Sequence, residues 1–247
     1  MAKKLYILSI GAGGTDYMTT EAREALKNSE AIVGYRNYVK EIKELLGETP
    51  LYMSGMTKES ERCQEAIDLA KGGKTTSIIS NGDVNVFGMA SQITELIEEQ
   101  ALWEEIEVVS VAGVTSFLAT ASRIGSPIGQ DFAVISLSNK ITSDEIIDKR
   151  VRNTLDADMV LGIYNPKSKK KFLPYLNFLK ALGEGEERIA IIASHVGRDK
   201  EKITVTTTTD LIEQQLEHPD VTMSTLIIVG NSQSRLLSNG LVLTPRG

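Results

Sequence analysis

Short apolar runs rich in Ile, Leu and Val punctuate the chain, and amphipathic stretches fill the intervals between them. Residues 5–10, 31–35, 77–80 and 106–109 have the β-branched weighting of buried strands, and Leu51-Tyr52-Met53 reads as a brief strand between them. Between them Ala22, Ala25 and Leu26, then Val39, Ile42, Leu45 and Leu46, then the segment 59–71, repeat at helical spacing. Thr19 and Thr20 are N-cap residues by chemistry, and Gly72-Gly73 closes the third helix. After a turn at Asn81-Gly82-Asp83, the spacing of Val86, Phe87, Met89, Ala90 and Ile93 predicts a helix running toward Gln100. This alternation predicts an N-terminal, mostly parallel α/β domain over residues 1–115.

Beyond that point the texture changes. A helix over 117–124 meets a break at Gly125-Ser126-Pro127, and 132–137, 159–164, 189–193, 226–230 and 241–243 read as strands. Thr142-Ser143-Asp144-Glu145 has the pattern of a capping box opening a helix to about Leu155, and 173–182 is a further helix. Ile203-Thr204-Val205-Thr206 is polar at alternate positions, so it predicts an antiparallel or edge strand. The second α/β domain is expected over 116–247, with a mixed sheet.

With 247 residues and 41% hydrophobic content, the chain has enough apolar material for two cores. A net charge of −6 gives no global basic field, which argues against nucleic acid or an acidic membrane as bulk partner. The single cysteine, Cys63, excludes an internal disulfide framework and any multi-cysteine metal site. The two histidines, His195 and His218, have no metal-ligand spacing, and His218 reads as part of a surface turn, Glu217-His218-Pro219-Asp220. No metal is expected. No apolar stretch approaches the ~18 residues of a membrane span. The expectation is a cytoplasmic protein.

Small polar or acidic residues close five strands, at 11–16, 81–83, 113–116, 164–166 and 229–232, paired with glycine in all but Tyr164-Asn165-Pro166. In open parallel sheets ligands settle outside the carboxyl ends of the strands, where such loops lie. Gly11-Ala12-Gly13 starts a dinucleotide fingerprint, but Asp16 stands at its third glycine, so a nicotinamide-dependent oxidoreductase is carried only as an alternative. No G-x-S-x-G elbow supports serine hydrolysis. One elongated polar ligand gathered by these loops, such as a sulfonium cofactor, fits better, because its methyl group is already activated and asks mainly for positioning.

Several segments carry a resemblance in order: GAGGTD at 11–16, VGYRNYV at 33–39, SGM at 54–56, SNGDVNVFGMA at 80–90, VAGVTSFLATASRIGSPIGQDFAVISLS at 111–138, YNPKSKKK at 164–171, VGRDKE at 196–201, TLIIVGNSQSR at 225–235 and TPRG at the end. Together they resemble the tetrapyrrole methyltransferase family of the corrin pathway over essentially the whole chain. DFAVISLS, YNP with its basic run, and VGNSQ point to the branch that methylates C-17 of (cobalt-)precorrin-3B with ring contraction. Another methyltransferase of the same pathway is the nearest alternative. The resemblance implies a homodimer of two α/β domains with S-adenosyl-L-methionine in the cleft between them. It places Asn81, Gly82, Asp83, Val86, Thr115, Ser116, Asn165, Val229 and Gly230 at the cofactor. It offers Asp83, Asp16 and His195 as acid–base candidates for ring contraction. Gly14, Lys167, Lys169, Lys170 and Lys171 are candidates for a tetrapyrrole substrate, the lysines as mobile charges for its carboxylates. Gly14-Thr15 replaces the Pro-Gly common in the family's first loop, Val84 stands where many relatives have proline or alanine, and His195 stands where relatives often have asparagine.

Overall fold

The computed structural model describes residues 3–55, 57–167 and 172–246, and the chain divides into two units, Met1–Ser116 and Phe117–Gly247. The first unit runs β1 (Lys3–Ser9), α1 (Thr20–Lys27), β2 (Ala31–Tyr35), α2 (Arg36–Glu41), β3 (Leu51–Ser54), α3 (Glu59–Lys71), β4 (Thr76–Ser80), α4 (Ala90–Glu99) and β5 (Ile106–Val111). Its five strands form one parallel sheet in the order β3-β2-β4-β1-β5. Alternate strand residues feed two cores, as the two-residue pleat period requires. Leu5, Ile7, Val33 and Ile78 pack with α3 and α4, whereas Leu8, Ile10, Ile32 and Ile79 pack with α1 and α2. The sheet is therefore covered on both faces. Its strands read as near-continuous apolar runs for that reason.

The ends of these helices follow from local chemistry. Thr19 is extended, and its hydroxyl oxygen accepts from the Ala22 N–H at 3.1 Å, which caps α1. At the end of α3 the Gly73 N–H donates to Ala70 and the Lys74 N–H to Leu69, with Gly73 at φ +95°, a Schellman ending. Two boundaries differ from expectation. The helix expected through Leu46 stops at Glu41, because the β-branched Ile42 leaves helical geometry at φ −118°, and a 3-10 turn follows over Lys43–Leu45. The helix expected from Val86 starts only at Ala90, since Phe87 adopts φ +55° and keeps its ring outside, 53% exposed.

The second unit runs α5 (Ser116–Arg123), β6 (Gly125–Ser126), β7 (Phe132–Ser136), α6 (Asp144–Asp156), β8 (Val160–Tyr164), α7 (Leu173–Gly183), β9 (Ile189–Ser194), β10 (Lys202–Thr207), α8 (Thr208–Gln214), β11 (Thr225–Val229), β12 (Arg235–Leu236) and β13 (Val242–Leu243). Its main sheet has the order β10-β9-β11-β8-β7 and is mixed. β7 and β8 are parallel, and β11 runs antiparallel to both β8 and β9. β10 is the antiparallel edge strand that its alternating polarity predicts. Helices α6, α7 and α8 cover one face around Tyr175, Phe178, Leu161, Ile163 and Ile227. On the opposite face the Phe117 ring lies flush on Gly162, where an added Cβ would meet the ring at 2.6 Å. The short strands β12, β13 and β6 pair as a separate three-stranded sheet.

His218 is not the surface residue that its turn sequence suggests; it is 4% exposed. Its Nδ1 accepts from the Asp220 N–H at 3.2 Å, so Nε2 carries the proton that faces Asp210 at 3.3 Å. Burial alone would raise the Asp210 carboxyl, but hydrogen bonds from Gln214, Thr206 and His218 hold it below the usual carboxylate range.

Candidate active site

Strand order fixes where a site can form in the first unit. The chain leaves β1 toward α1 on one face and leaves β4 toward α4 on the other, while β1 and β4 are neighbours. This is a topological switch point, where diverging connections open a crevice at the carboxyl ends of the strands. The two loops that flank it are Gly11–Asp16 and Asn81–Met89.

These loops are joined to each other. Gly11 and Gly82 form an isolated antiparallel bridge, with N–H to carbonyl distances of 3.1 and 2.7 Å in the two directions. Gly82 is at φ +66°, which L side chains rarely adopt. Gly113, after β5, approaches so closely that an added Cβ would lie 2.5 Å from the Gly82 carbonyl oxygen and 2.5 Å from Ser9 Cβ. Asp83 fixes the arrangement. Its Oδ1 accepts from the Asn85 N–H at 2.8 Å, and its Oδ2 accepts from the Gly113 N–H at 2.9 Å. Ser9 contributes a buried hydroxyl oxygen that accepts from the Val84 N–H at 2.9 Å. Sequence reasoning passed over Ser9; the available signal is a hydroxyl inside an apolar strand, since buried polar groups need a partner.

Among the predicted residues, the structure thus brings Asn81, Gly82, Asp83 and Thr115 together. An added Gly82 Cβ would sit 3.7 Å from Thr115 Oγ1. Val86 is half-buried in the same loop, its N–H on the Asp83 carbonyl at 3.1 Å, and Ser116 opens α5. Asn81 Oδ1 is buried and has no hydrogen-bond partner among the described residues. An acceptor in that position costs about 1–3 kcal/mol if nothing donates to it. It is therefore a candidate acceptor for a ligand's donor, and its chemistry fits the ammonium of an amino-acid group.

The first loop departs from the dinucleotide pattern in geometry as well as in sequence. Gly14 (φ +63°) leads into a 3-10 turn over Thr15–Tyr17, and α1 begins only at Thr20. The glycines therefore do not deliver a helix N-terminus to a pyrophosphate. The Arg23 guanidinium donates to the Thr15 carbonyl and ties this loop to α1. Asp16 is exposed at the tip of this turn.

In the second unit, β7, β8 and β9 run the same way and finish at one end of the sheet. Asn165 follows β8 at φ +51°, and its Nδ2 donates to Ser136 Oγ, at the end of β7, at 3.0 Å. His195 follows β9 at φ +53° and is exposed. β11 lies between β8 and β9, which sets Asn165 and His195 about 10 Å apart across the sheet. Lys167 Nζ donates to the Leu216 carbonyl at 2.6 Å. Lys169, Lys170 and Lys171 lie outside the described residues.

Val229 and Gly230 are not brought to this end. β11 is antiparallel to β8, so its last residue pairs with Leu161 near the start of β8. The Gly230 N–H donates to the Ile189 carbonyl at 2.9 Å, at the start of β9. The following Asn231-Ser232 turn is bound to protein groups. Asn231 Oδ1 accepts from Gln233 and Ser234, its Nδ2 donates to Gln130, and Ser232 donates twice to Asp158.

Cys63 is fully buried, and burial pushes its thiol up to about 12 against a smaller opposing pull from Arg62. No group of three or more His, Cys, Asp or Glu among the described residues is placed to hold a metal ion. No helix among the described residues is long and apolar enough to cross a membrane.

Comparison with known proteins gives this geometry a context. The family model for tetrapyrrole (corrin/porphyrin) methylases matches residues 4–212. The chain is 37% identical over 246 residues to the probable cobalt-factor III C(17)-methyltransferase of Salmonella typhimurium, covering 98% of each chain. It is 33% identical to a precorrin-3B C(17)-methyltransferase from Sinorhizobium sp, covering 100% of this chain and 97% of that protein. The crystal structure of the methyltransferase CobJ matches with a TM-score of 0.89 at 30% identity, over 98% of this chain and 99% of that one.

Proposed function

The chain belongs to the tetrapyrrole (corrin/porphyrin) methylases, and from that premise we propose that it methylates C-17 of a cobalt-factor III or precorrin-3B type tetrapyrrole in cobalamin biosynthesis. The observation that carries this reading is 37% identity spread over 98% of both chains, which leaves no segment of the relative unmatched at domain scale. The enzyme is an S-adenosylmethionine-dependent C-methyltransferase. When bound, S-adenosylmethionine supplies a methyl group already activated by its sulfonium.

The protein's work is then positional. The Asn81-Gly82-Asp83 turn holds the amino-acid end of the cofactor: Asn81 Oδ1 offers an unused acceptor, and Gly82 leaves open the space a side chain would fill. Asp83 acts through the backbone in this reading, as a positioning residue, because both of its oxygens already receive N–H groups. Asn165, its amide oriented by Ser136, serves the adenosine part. Asp16 and His195 remain the exposed groups for proton transfer during ring contraction, with Gly14, Lys167, Lys169, Lys170 and Lys171 as the substrate-side candidates. The enzyme acts as a cytoplasmic homodimer, which light scattering of the purified chain tests.

Anaerobic incubation with methyl-labelled cofactor and either cobalt-factor III or precorrin-3B tests the assignment. Carbon NMR should place the label at C-17 of a ring-contracted product. Label at another carbon, or none transferred from either substrate, overturns it. The more active substrate separates the cobalt-containing from the metal-free route.

A further inference from the structure

Arg62 stands on the first turn of α3 and is 4% exposed. Its Nη1 donates to Ser54 Oγ at 2.9 Å and to the Gly55 carbonyl at 2.6 Å. Its Nε is buried and has no partner among the described residues. Its guanidinium carbon lies 5.9 Å from the centre of the Tyr35 ring. No carboxylate among the described residues pairs with it; Glu61, one residue away, pairs with Lys58 instead. A buried cation without a counter-ion is costly, by several kcal/mol before compensation.

Two half-buried hydroxyls lie next to it. Tyr35 and Ser54 are direct register partners at the carboxyl ends of β2 and β3. Ser54 Oγ accepts from Arg62, and Tyr35 Oη accepts from Asn37 Nδ2 at 2.9 Å. Each hydroxyl therefore has a hydrogen to donate, and neither has an acceptor for it among the described residues. One positive charge and two hydroxyl donors lie at the carboxyl ends of β2 and β3, where open parallel sheets take their ligands, and no carboxylate among the described residues pairs with any of them.

We propose that Arg62, Ser54 and Tyr35 form a carboxylate subsite, in which the two hydroxyls contact the anion and Arg62 supplies the buried charge behind them. The carboxylate is an acetate or propionate arm of the substrate; this rests on the tetrapyrrole reading above, since corrinoid precursors carry such arms. The cofactor also carries a carboxylate, so the test separates the two sources.

Equilibrium titration of the full chain with cobalt-factor III, alongside calorimetric titration with S-adenosylmethionine, decides it without requiring turnover. Arg62→Gln should weaken tetrapyrrole binding about tenfold or more, and Ser54→Ala and Tyr35→Phe each about threefold, as expected for charge-assisted hydrogen bonds. Cofactor affinity should stay within about twofold of wild type, on the same scale. The esterified tetrapyrrole should bind wild type and Arg62→Gln equally. If Arg62→Gln does not fold, the two hydroxyl variants carry the test, with Ser54→Thr restoring affinity. Unchanged tetrapyrrole affinity in Ser54→Ala and Tyr35→Phe, or a loss confined to the cofactor, overturns the subsite. Wild type that binds but transfers no methyl overturns the functional reading and leaves the subsite standing.

Discussion

Two turns of nearly the same composition behave in opposite ways. Ser80-Asn81-Gly82-Asp83 follows β4, a strand of a fully parallel sheet, at the point where neighbouring connections diverge. Val229-Gly230-Asn231-Ser232 follows β11, the strand that reverses direction within the mixed sheet. In the first, Asn81 Oδ1 is buried with no partner among the described residues. In the second, Asn231 is 3% exposed, with its oxygen accepting twice and its amide donating to Gln130. Glycine and asparagine at a strand end therefore signal a tight turn. Strand direction and the use of the asparagine's hydrogen bonds separate the turn proposed as a ligand site from the one that is a structural latch.

The largest expected effect breaks the first turn sterically. Gly113→Val places a branched side chain against the Gly82 carbonyl and Ser9, contacts that rigid backbone cannot relieve. A loss of about 3 kcal/mol or more in stability, with no detectable cofactor binding, is expected for such overpacking. Near-normal denaturant midpoint and affinity would show that the two loops are not locked together. Asp83→Ala comes next. It leaves the Asn85 and Gly113 N–H groups without their acceptor, at about 1–3 kcal/mol each. Cofactor affinity should fall by about tenfold to a hundredfold, and Asp83→Asn should restore only part, since its amide keeps one acceptor oxygen. A pH–rate profile unchanged in the residual activity would agree with a positioning role; loss of one limb would make Asp83 the acid or base itself.

A matched pair of alanine substitutions sharpens the contrast. Asn81→Ala removes an oxygen that no described protein group uses, so thermal stability should hold while cofactor affinity drops about tenfold. Asn231→Ala removes two groups that make three hydrogen bonds within the protein, so the denaturant midpoint should fall, by about 1–3 kcal/mol in stability, with cofactor affinity unchanged. The reverse outcome in either variant would erase the distinction between the two turns.

Much of the fold was legible because both domains are built from period patterns. β-branched runs and helical spacing located the strands and helices of both sheets, and the alternation in Ile203–Thr206 located the antiparallel edge strand. Two things were not legible. Direction was one: an apolar run buried on both faces reads the same whichever way it points, so Val229 and Gly230 were grouped with loops that finish at the other end of their sheet. Long-range partners were the other. His218 reads as a turn residue until Asp210, eight positions earlier, is seen to face it. Arg62 reads as one more charge on an amphipathic helix until Ser54, Gly55 and Tyr35 are seen around it. The residues of the Asn81 turn lie together in the structure, but the division of labour between Asn81 and Asp83 depends on which N–H groups come within reach, and that is set by the register of β1, β4 and β5.

The smallest effect concerns the latch itself. Asp158 accepts from the Ser232 N–H at 2.8 Å and from its hydroxyl at 2.5 Å, and it faces Arg188 at 3.1 Å. Burial alone would raise its carboxyl, but the Ser232 hydroxyl and N–H and the Arg188 guanidinium together hold it below the usual carboxylate range. A carboxyl depressed in the folded state adds stability above its unfolded pKa, near 4, and loses that contribution as pH falls through the folded value. With the side chain 41% exposed, solvent screening keeps the contribution small, and Asp158→Asn should lower Tm by only about 2 °C at neutral pH. That deficit should stay constant between about pH 5 and 8 and shrink below about pH 4, as wild type loses the same charge. A difference that persists undiminished into that acid range would mean the turn is held by shape alone, and the carboxylate would then have no part in fixing the second turn as a latch.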